Sequence, residues 1–177
     1  MANDPNWRLP EVPGFELFSP EVGEREILPL WARARWAGGD DRSPPLTWSG
    51  APAGTKSYVV TMFDPDAPTG SGYWHWAVYG IPASVTALPA GAGNPDSHLL
   101  SDGAITVANE SRAENFEGAG PPPGDGEHRY VFTVSALDTE SLELPAGCTP
   151  AVLGFVMRTH VIARAQLVTR CETPLRG

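Results

Sequence analysis

The residues in this chain best suited to chemistry are acids and imidazoles set beside stiff turns. Asp64 and Asp66 stand in Asp64-Pro65-Asp66-Ala67-Pro68, and His75 follows in Tyr73-Trp74-His75-Trp76. Glu117 opens a glycine- and proline-rich run, Glu117-Gly118-Ala119-Gly120-Pro121-Pro122-Pro123-Gly124-Asp125-Gly126, and His128 comes just after it. A neutral imidazole donates one hydrogen bond and a protonated one donates two, and neighbouring carboxylates favour the protonated form. Brought together, these groups could orient a small anionic or polar molecule. Backbone N–H groups around Gly118, Ala119 and Gly120 would then add an anion-accepting nest. The same set could also run acid/base chemistry: a desolvated Asp64 or Glu117 takes a proton, and His75 or His128 returns it or holds an oxyanion.

Each of these residues has an ordinary structural use as well. Asp-Pro is a common turn former, a strand histidine is often hydrogen-bonded packing, and Glu117 has the profile of an exposed loop residue. His98 lies in a polar loop and reads as solvated. His160 recurs with Leu153, Val156, Met157 and Val161 at helical spacing, which suits packing or capping better than ligation. Trp74 and Trp76 read as core. It is the convergence of several polar groups on two rigid loops that favours a pocket.

Two strand–loop units must place these side chains. Ser57–Phe63 is rich in β-formers and ends at Asp64, where Pro65 and Pro68 stop the ladder and hold the loop stiffly. Gly70, Ser71 and Gly72 reverse the chain into a strand from Tyr73 to Tyr79. Strict alternation puts Tyr73, His75, Ala77 and Tyr79 on one face, with Trp74, Trp76 and Val78 on the other. The second loop, Phe116 to Gly126, feeds a strand from His128 to Ala136, with His128, Tyr130, Phe132 and Val134 pointing one way.

Elsewhere, Phe15–Phe18, Ile27–Trp36, Pro45–Trp48 and Ala104–Asn109 read as extended pieces, and residues 1–13 as a surface arm. Thr149 is a plausible N-cap with Pro150 at the first helical position, opening a helix to about Val161 or Ala165. Ala163–Cys171 alternates as a last strand.

A chain of 177 residues suits one domain over 1–177 and buries roughly 70% of its unfolded surface. Nineteen glycines and nineteen prolines, spread between short apolar runs in a chain that is 41% hydrophobic, favour a mainly β domain over disorder. The net charge of −9, with no basic block, excludes nucleic acid and anionic membrane surfaces as general partners. No leader and no long apolar span are visible, so the expectation is a soluble, cytoplasmic protein without stable membrane insertion. Cys148 and Cys171 fit neither a disulfide scaffold nor a zinc site and read as reduced thiols. No nucleotide loop or activated-serine motif is present, so no cofactor is expected. Asp/His metal ligation remains an unspecific third option.

Asp64-Pro65-Asp66-Ala67-Pro68 with Trp74-His75-Trp76, then Gly120-Pro121-Pro122-Pro123-Gly124 with His128-Arg129-Tyr130, resembles the phosphatidylethanolamine-binding protein family, especially its bacterial, Raf-kinase-inhibitor-like branch. Ser43–Trp48, Ala51–Ser57 and His160–Ala165 support the likeness, which spans about Phe15 to Cys171. The resemblance implies an antiparallel β-sandwich-like, Greek-key core with a few short peripheral helices, and an anion-accepting pocket near one end. It implies that Asp64, Asp66, Pro68, His75, Gly120, Pro122, His128 and Tyr130 line or support that pocket, and it suggests a homodimer. Tyr73, Glu117 and Gly118 join this ligand-binding set on the reading above. Glu117 departs from the family pattern, where an apolar or aromatic residue is usual; a third carboxylate at the rim would oppose a phosphate. Two functions follow: a small-molecule binder with an anion or phosphate pocket, which the resemblance favours, or a cofactor-free isomerase, cyclase or lyase of secondary metabolism using Asp64, His75, His128 and Glu117.

Overall fold

In the computed structural model, which describes residues 8–175, strands dominate and pair antiparallel in two sheets. The strands are β1 (Glu16–Phe18), β2 (Leu46–Ser49), β3 (Ser57–Asp64), β4 (Tyr73–Pro82), β5 (Ala87–Leu88), β6 (Ile105–Thr106), β7 (His128–Leu137) and β8 (Val161–Cys171). The small sheet has the order β1-β2-β5 and the large one β6-β4-β3-β7-β8. Leu46, Trp48 and Leu88 of the small sheet meet Tyr58, Val60, Met62, Trp76, Phe132 and Val134 of the large one in the main core. Burying each such large apolar side chain contributes about 1.5–3 kcal/mol.

The outer face of the large sheet is covered by the one α-helix among the described residues, α1 (Pro150–Met157). Leu153 and Met157 pack there with Val59, Ala77 and Leu137. Thr149 caps the helix as expected, its hydroxyl accepting from the Val152 N–H at 3.3 Å, with Pro150 at the first position. The helix ends at Met157, short of Val161. From there β-branched Val161 and Ile162 enter β8, and Val161 pairs with Leu137: ladder bonding along β7 outweighs the helical spacing of the apolar residues. His160 lies in the intervening turn and pairs its Nδ1 with Asp138 at 2.9 Å.

One irregularity sets up everything that follows. Asp64 faces Tyr73 and Phe63 faces Trp74, but Met62 faces Trp76. His75 is therefore an extra residue on β4, a β-bulge that breaks the alternation. Beyond it, Trp76 and Val78 belong to the main core, while Ala77 and Tyr79 pack on the helix side. Trp74 stacks on Phe63, ring centroids 4.4 Å apart, and His75 meets Tyr73 at 4.8 Å and Tyr130 at 5.2 Å. The expected grouping is corrected accordingly: Tyr73, His75, Trp76 and Val78 share one side, and Trp74, Ala77 and Tyr79 the other. On β7 the expected alternation holds, with Tyr130, Phe132 and Val134 in the main core.

The segment Ile27–Trp36 is not a strand. It forms two 3-10 turns, Leu30–Ala32 and Arg35–Ala37, after Pro29 removes a donor from any ladder. Its backbone instead holds the second rigid loop: the Ala34 N–H donates to the Ala119 carbonyl at 2.9 Å and the Ala119 N–H to the Ala32 carbonyl at 3.2 Å. Phe15–Phe18 and Ala104–Asn109 are strands only over Glu16–Phe18 and Ile105–Thr106. Of the expected arm, residues 1–7 lie outside the described residues; Pro13 accepts from the Arg164 N–H at 3.0 Å.

Candidate functional site

The two rigid loops converge on a cavity of about 220 Å³ at one end of the large sheet. It is lined by Asp64, Pro68, Tyr73, His75, Glu117, Gly118, Gly120, Pro122 and His128, with Ala67, Thr69 and Trp36 completing the wall. Nine of the eleven residues expected to bind ligand thus face one hollow.

Asp64 organises the first loop. Its Oδ1 accepts from the Asp66 N–H at 2.8 Å and the Ala67 N–H at 2.9 Å, an Asx-type turn that pins the Asp-Pro-Asp-Ala segment to its own strand end. Its Oδ2 lies 2.8 Å from His128 Nδ1, both side chains almost wholly buried. Asp125 holds the other ring nitrogen, Nε2, at 3.0 Å. Burial works against a charge on His128, but the hydrogen bonds and negative charges of Asp64 and Asp125 outweigh it, and its pKa is raised. His128 is therefore clamped between two carboxylates that favour its charged form, with neither nitrogen left for a ligand.

His75 is the opposite case. Burial pushes its pKa down, against the smaller opposing pull of the Asp64 charge and the Glu117 backbone. It stays neutral, and its Nδ1–H donates to the Glu117 carbonyl at 3.0 Å. That fixes the tautomer and leaves Nε2 with its lone pair as the nitrogen available to the cavity. The Glu117 N–H returns a bond to the His75 carbonyl at 3.1 Å. Glu117 itself accepts from the Tyr73 hydroxyl at 3.0 Å, and that hydroxyl also pairs with Ser111 at 2.5 Å. Burial raises the Tyr73 pKa, helped by the Glu117 charge and opposed by Ser111.

These contacts bear on three of the expected roles. Two of the three amides expected in the nest are taken: the Gly118 N–H donates to Asp41 at 2.8 Å and the Ala119 N–H donates to Ala32 at 3.2 Å. Asp66 does not line the cavity; its carboxylate holds the Arg129 side chain at 2.6–2.7 Å and the Arg129 N–H at 2.9 Å. The Arg129 hydrogen bond is the main reason its pKa is lowered. Tyr130 stands behind His75 as a buried support. Its hydroxyl feels Asp64 and Gly120 but reaches hydrogen-bond geometry with neither.

Sequence reasoning passed over Asp125, Asp41, Ser111 and Trp36. Asp125, three residues before His128 in a Gly-Asp-Gly turn, had a local signal in that spacing. Asp41 and Trp36 had none, since their partners lie far along the chain. Trp36, 57% exposed, stands at the rim. Among the described residues no three or more His, Cys, Asp or Glu side chains are grouped to hold a metal ion, and the lining contains no lysine or arginine.

The sequence pattern of the family described as phosphatidylethanolamine-binding protein matches residues 18–172. The UPF0098 protein YbcL of Escherichia coli is 48% identical over 129 residues, 73% of this chain and 70% of that one. The UPF0098 protein YbhB of the same organism is 45% identical over 129 residues, 73% of this chain and 80% of that one. The crystal structure of E. coli YbcL superposes with a TM-score of 0.85 at 43% identity, covering 89% of this chain and 98% of that one. The two sheets and the matched residues agree: this chain belongs to the phosphatidylethanolamine-binding protein family.

Proposed function

We propose that the protein binds a small acid or oxyanion in the cavity between the two rigid loops, and that it takes up a proton at His75 as it does so. The observation that supports this is the hydrogen bond from His75 Nδ1 to the Glu117 carbonyl. An anion needs N–H donors, yet those of Gly118, Ala119 and His128 are already spent. Protonation at Nε2 of His75 turns the uncommitted imidazole nitrogen of the cavity from an acceptor into a charge-assisted donor. Glu117 opposes the anion, which favours a ligand carrying a hydroxyl or ammonium group beside its acidic one.

The test is calorimetry with acetate, which stays mostly ionised between pH 5.5 and 8, followed by phosphate and phosphoethanolamine. Tighter acetate binding at pH 5.5, proton uptake on binding, and loss of that pH dependence in His75→Asn are the expected results. Absence of saturable binding by all three would overturn the proposal.

The same Nε2 lone pair, beside the Tyr73–Glu117 pair, also suits a general base in a cofactor-free isomerisation or elimination. Turnover of a candidate substrate by the wild type, abolished in His75→Asn, would replace the binder with the enzyme. We place the protein in the cytoplasm on its two free cysteines, Cys148 and Cys171; fractionation of producing cells checks this. No helix among the described residues is long and apolar enough to cross a membrane.

A further inference from the structure

A second cavity, of about 240 Å³, lies beneath α1 on the helix side of the large sheet, away from His75. That is room for roughly eight water-sized groups. Its floor is Phe63 and Trp74 with the hydroxyl-bearing Thr61, Thr133 and Ser135, and α1 closes it with Leu153. All three hydroxyl residues are buried, and Thr133 also accepts from the Gln166 side chain at 3.3 Å.

Two observations mark this space as more than a packing defect. Gly154 sits in the body of α1, lines the cavity, and has nothing within 4 Å of where a Cβ would stand. Glycine inside a helix weakens it relative to alanine, and here neither a left-handed φ nor a close backbone approach calls for one. Its effect is to keep the cavity open. The second observation is charge. In a chain of net charge −9, the lining holds Arg158 and Arg164 and no carboxylate. Arg158 lies over the Phe155 ring, 3.8 Å from its centroid, and donates one N–H to the Phe155 carbonyl. A guanidinium carries five N–H donors in a fixed fork, so this contact leaves others for a carboxylate. Arg164 is already engaged within the chain.

We infer that this cavity is a second binding site, for a small apolar monocarboxylate. Its hydrocarbon part lies between Phe63, Trp74 and Leu153, and its carboxylate meets Arg158. The site is independent of the His75 cavity, although Trp74 and His75 are neighbours on β4.

Calorimetric titration of the full chain with octanoate, octanol and octylamine tests this. Octanoate binds saturably and about tenfold more tightly than octanol, and octylamine is weakest. Gly154→Leu, which fills the space and improves the helix, abolishes octanoate binding while leaving thermal stability equal or higher. Arg158→Gln, at the surface, brings octanoate down to the level of octanol. His75→Asn leaves octanoate binding unchanged even where it removes the acid-enhanced binding of acetate, so failure of either site is seen separately. Octanoate binding that survives Gly154→Leu, equals octanol, or disappears in His75→Asn would overturn the inference. Concentration-dependent dimerisation that Gly154→Leu abolishes would do the same, since a second copy would then be the occupant.

Discussion

His75 and Glu117 clamp each other through the main chain: the imidazole Nδ1–H donates to the Glu117 carbonyl at 3.0 Å, and the Glu117 N–H donates to the His75 carbonyl at 3.1 Å. The contact joins the bulge on β4 to the glycine loop, so the tautomer of the imidazole and the position of the loop are set together. The Glu117 side chain is left facing the cavity with Tyr73 as its donor. Removing its charge should therefore help an anion without disturbing the clamp. Glu117→Gln is expected to tighten acetate binding about fivefold, the effect of roughly 1 kcal/mol of relieved repulsion across a partly wet site. Weaker binding in Glu117→Gln, measured by calorimetry at constant pH, would show that the carboxylate contacts the ligand as an acceptor.

His75 and His128 should leave opposite marks on stability against pH. The folded pKa of His128 is raised, so its contribution is fully present below about pH 6.5 and is lost as pH rises through the raised value. The folded pKa of His75 is lowered, so the unfolded chain takes up its proton first, and stability falls as pH drops below about 6.5. In urea unfolding, the gap between wild type and His128→Asn should be largest near pH 5.5 and shrink toward pH 9. His75→Asn should lessen the acid-side loss. Identical pH slopes in all three proteins would contradict the two assignments.

Gly118 and Gly120 differ in what stands against them. A Cβ at Gly118 would meet the Arg33 carbonyl carbon at 2.2 Å, which is backbone, whereas one at Gly120 would meet the Trp36 ring at 2.4 Å, an exposed side chain free to turn. Gly118→Ala should cost about 1–3 kcal/mol and abolish ligand binding, as overpacking displaces the loop. Gly120→Ala should cost under about 1 kcal/mol and alter binding only at the rim. Chemical denaturation of the two variants side by side checks the ordering.

Asp66 straps Arg129 and lies outside the cavity wall. Asp66→Asn should destabilise by about 1 kcal/mol, discounted for the partial exposure of the Arg129 pair. Acetate affinity should change by less than about twofold. A larger loss of affinity with intact stability would return Asp66 to the site.

Much of this was legible in the sequence, for identifiable reasons. Pro65 and Pro68 announce a stiff turn whatever surrounds them, and Thr149-Pro150 announces a helix start. The unbroken alternation from His128 to Val134 puts the right residues inside. Apart from Asp125, three residues from its partner His128, what escaped depends on partners distant in the chain. The bulge at His75 is visible only against β3, because an extra residue has no meaning until its opposite strand is counted. Ile27–Trp36 alternates as a strand would, yet its backbone bonds are divided between Arg170, its own tight turns and Ala119. The amides of Gly118 and Ala119 look available until Asp41 and Ala32 are found beside them.

The bulge also separates two kinds of change. It is absorbed between the Phe63–Trp74 and Met62–Trp76 pairs, outside the hairpin tip that supplies Pro68 and Thr69 to the cavity wall. At that tip Gly70 stands in open space, whereas a Cβ at Gly72 would meet Phe63 and the Asp64 carbonyl, so exchanges at exposed Thr69 and Gly70 leave the imidazole where it is. The rim is thus placed to vary while the imidazole behind it keeps its position.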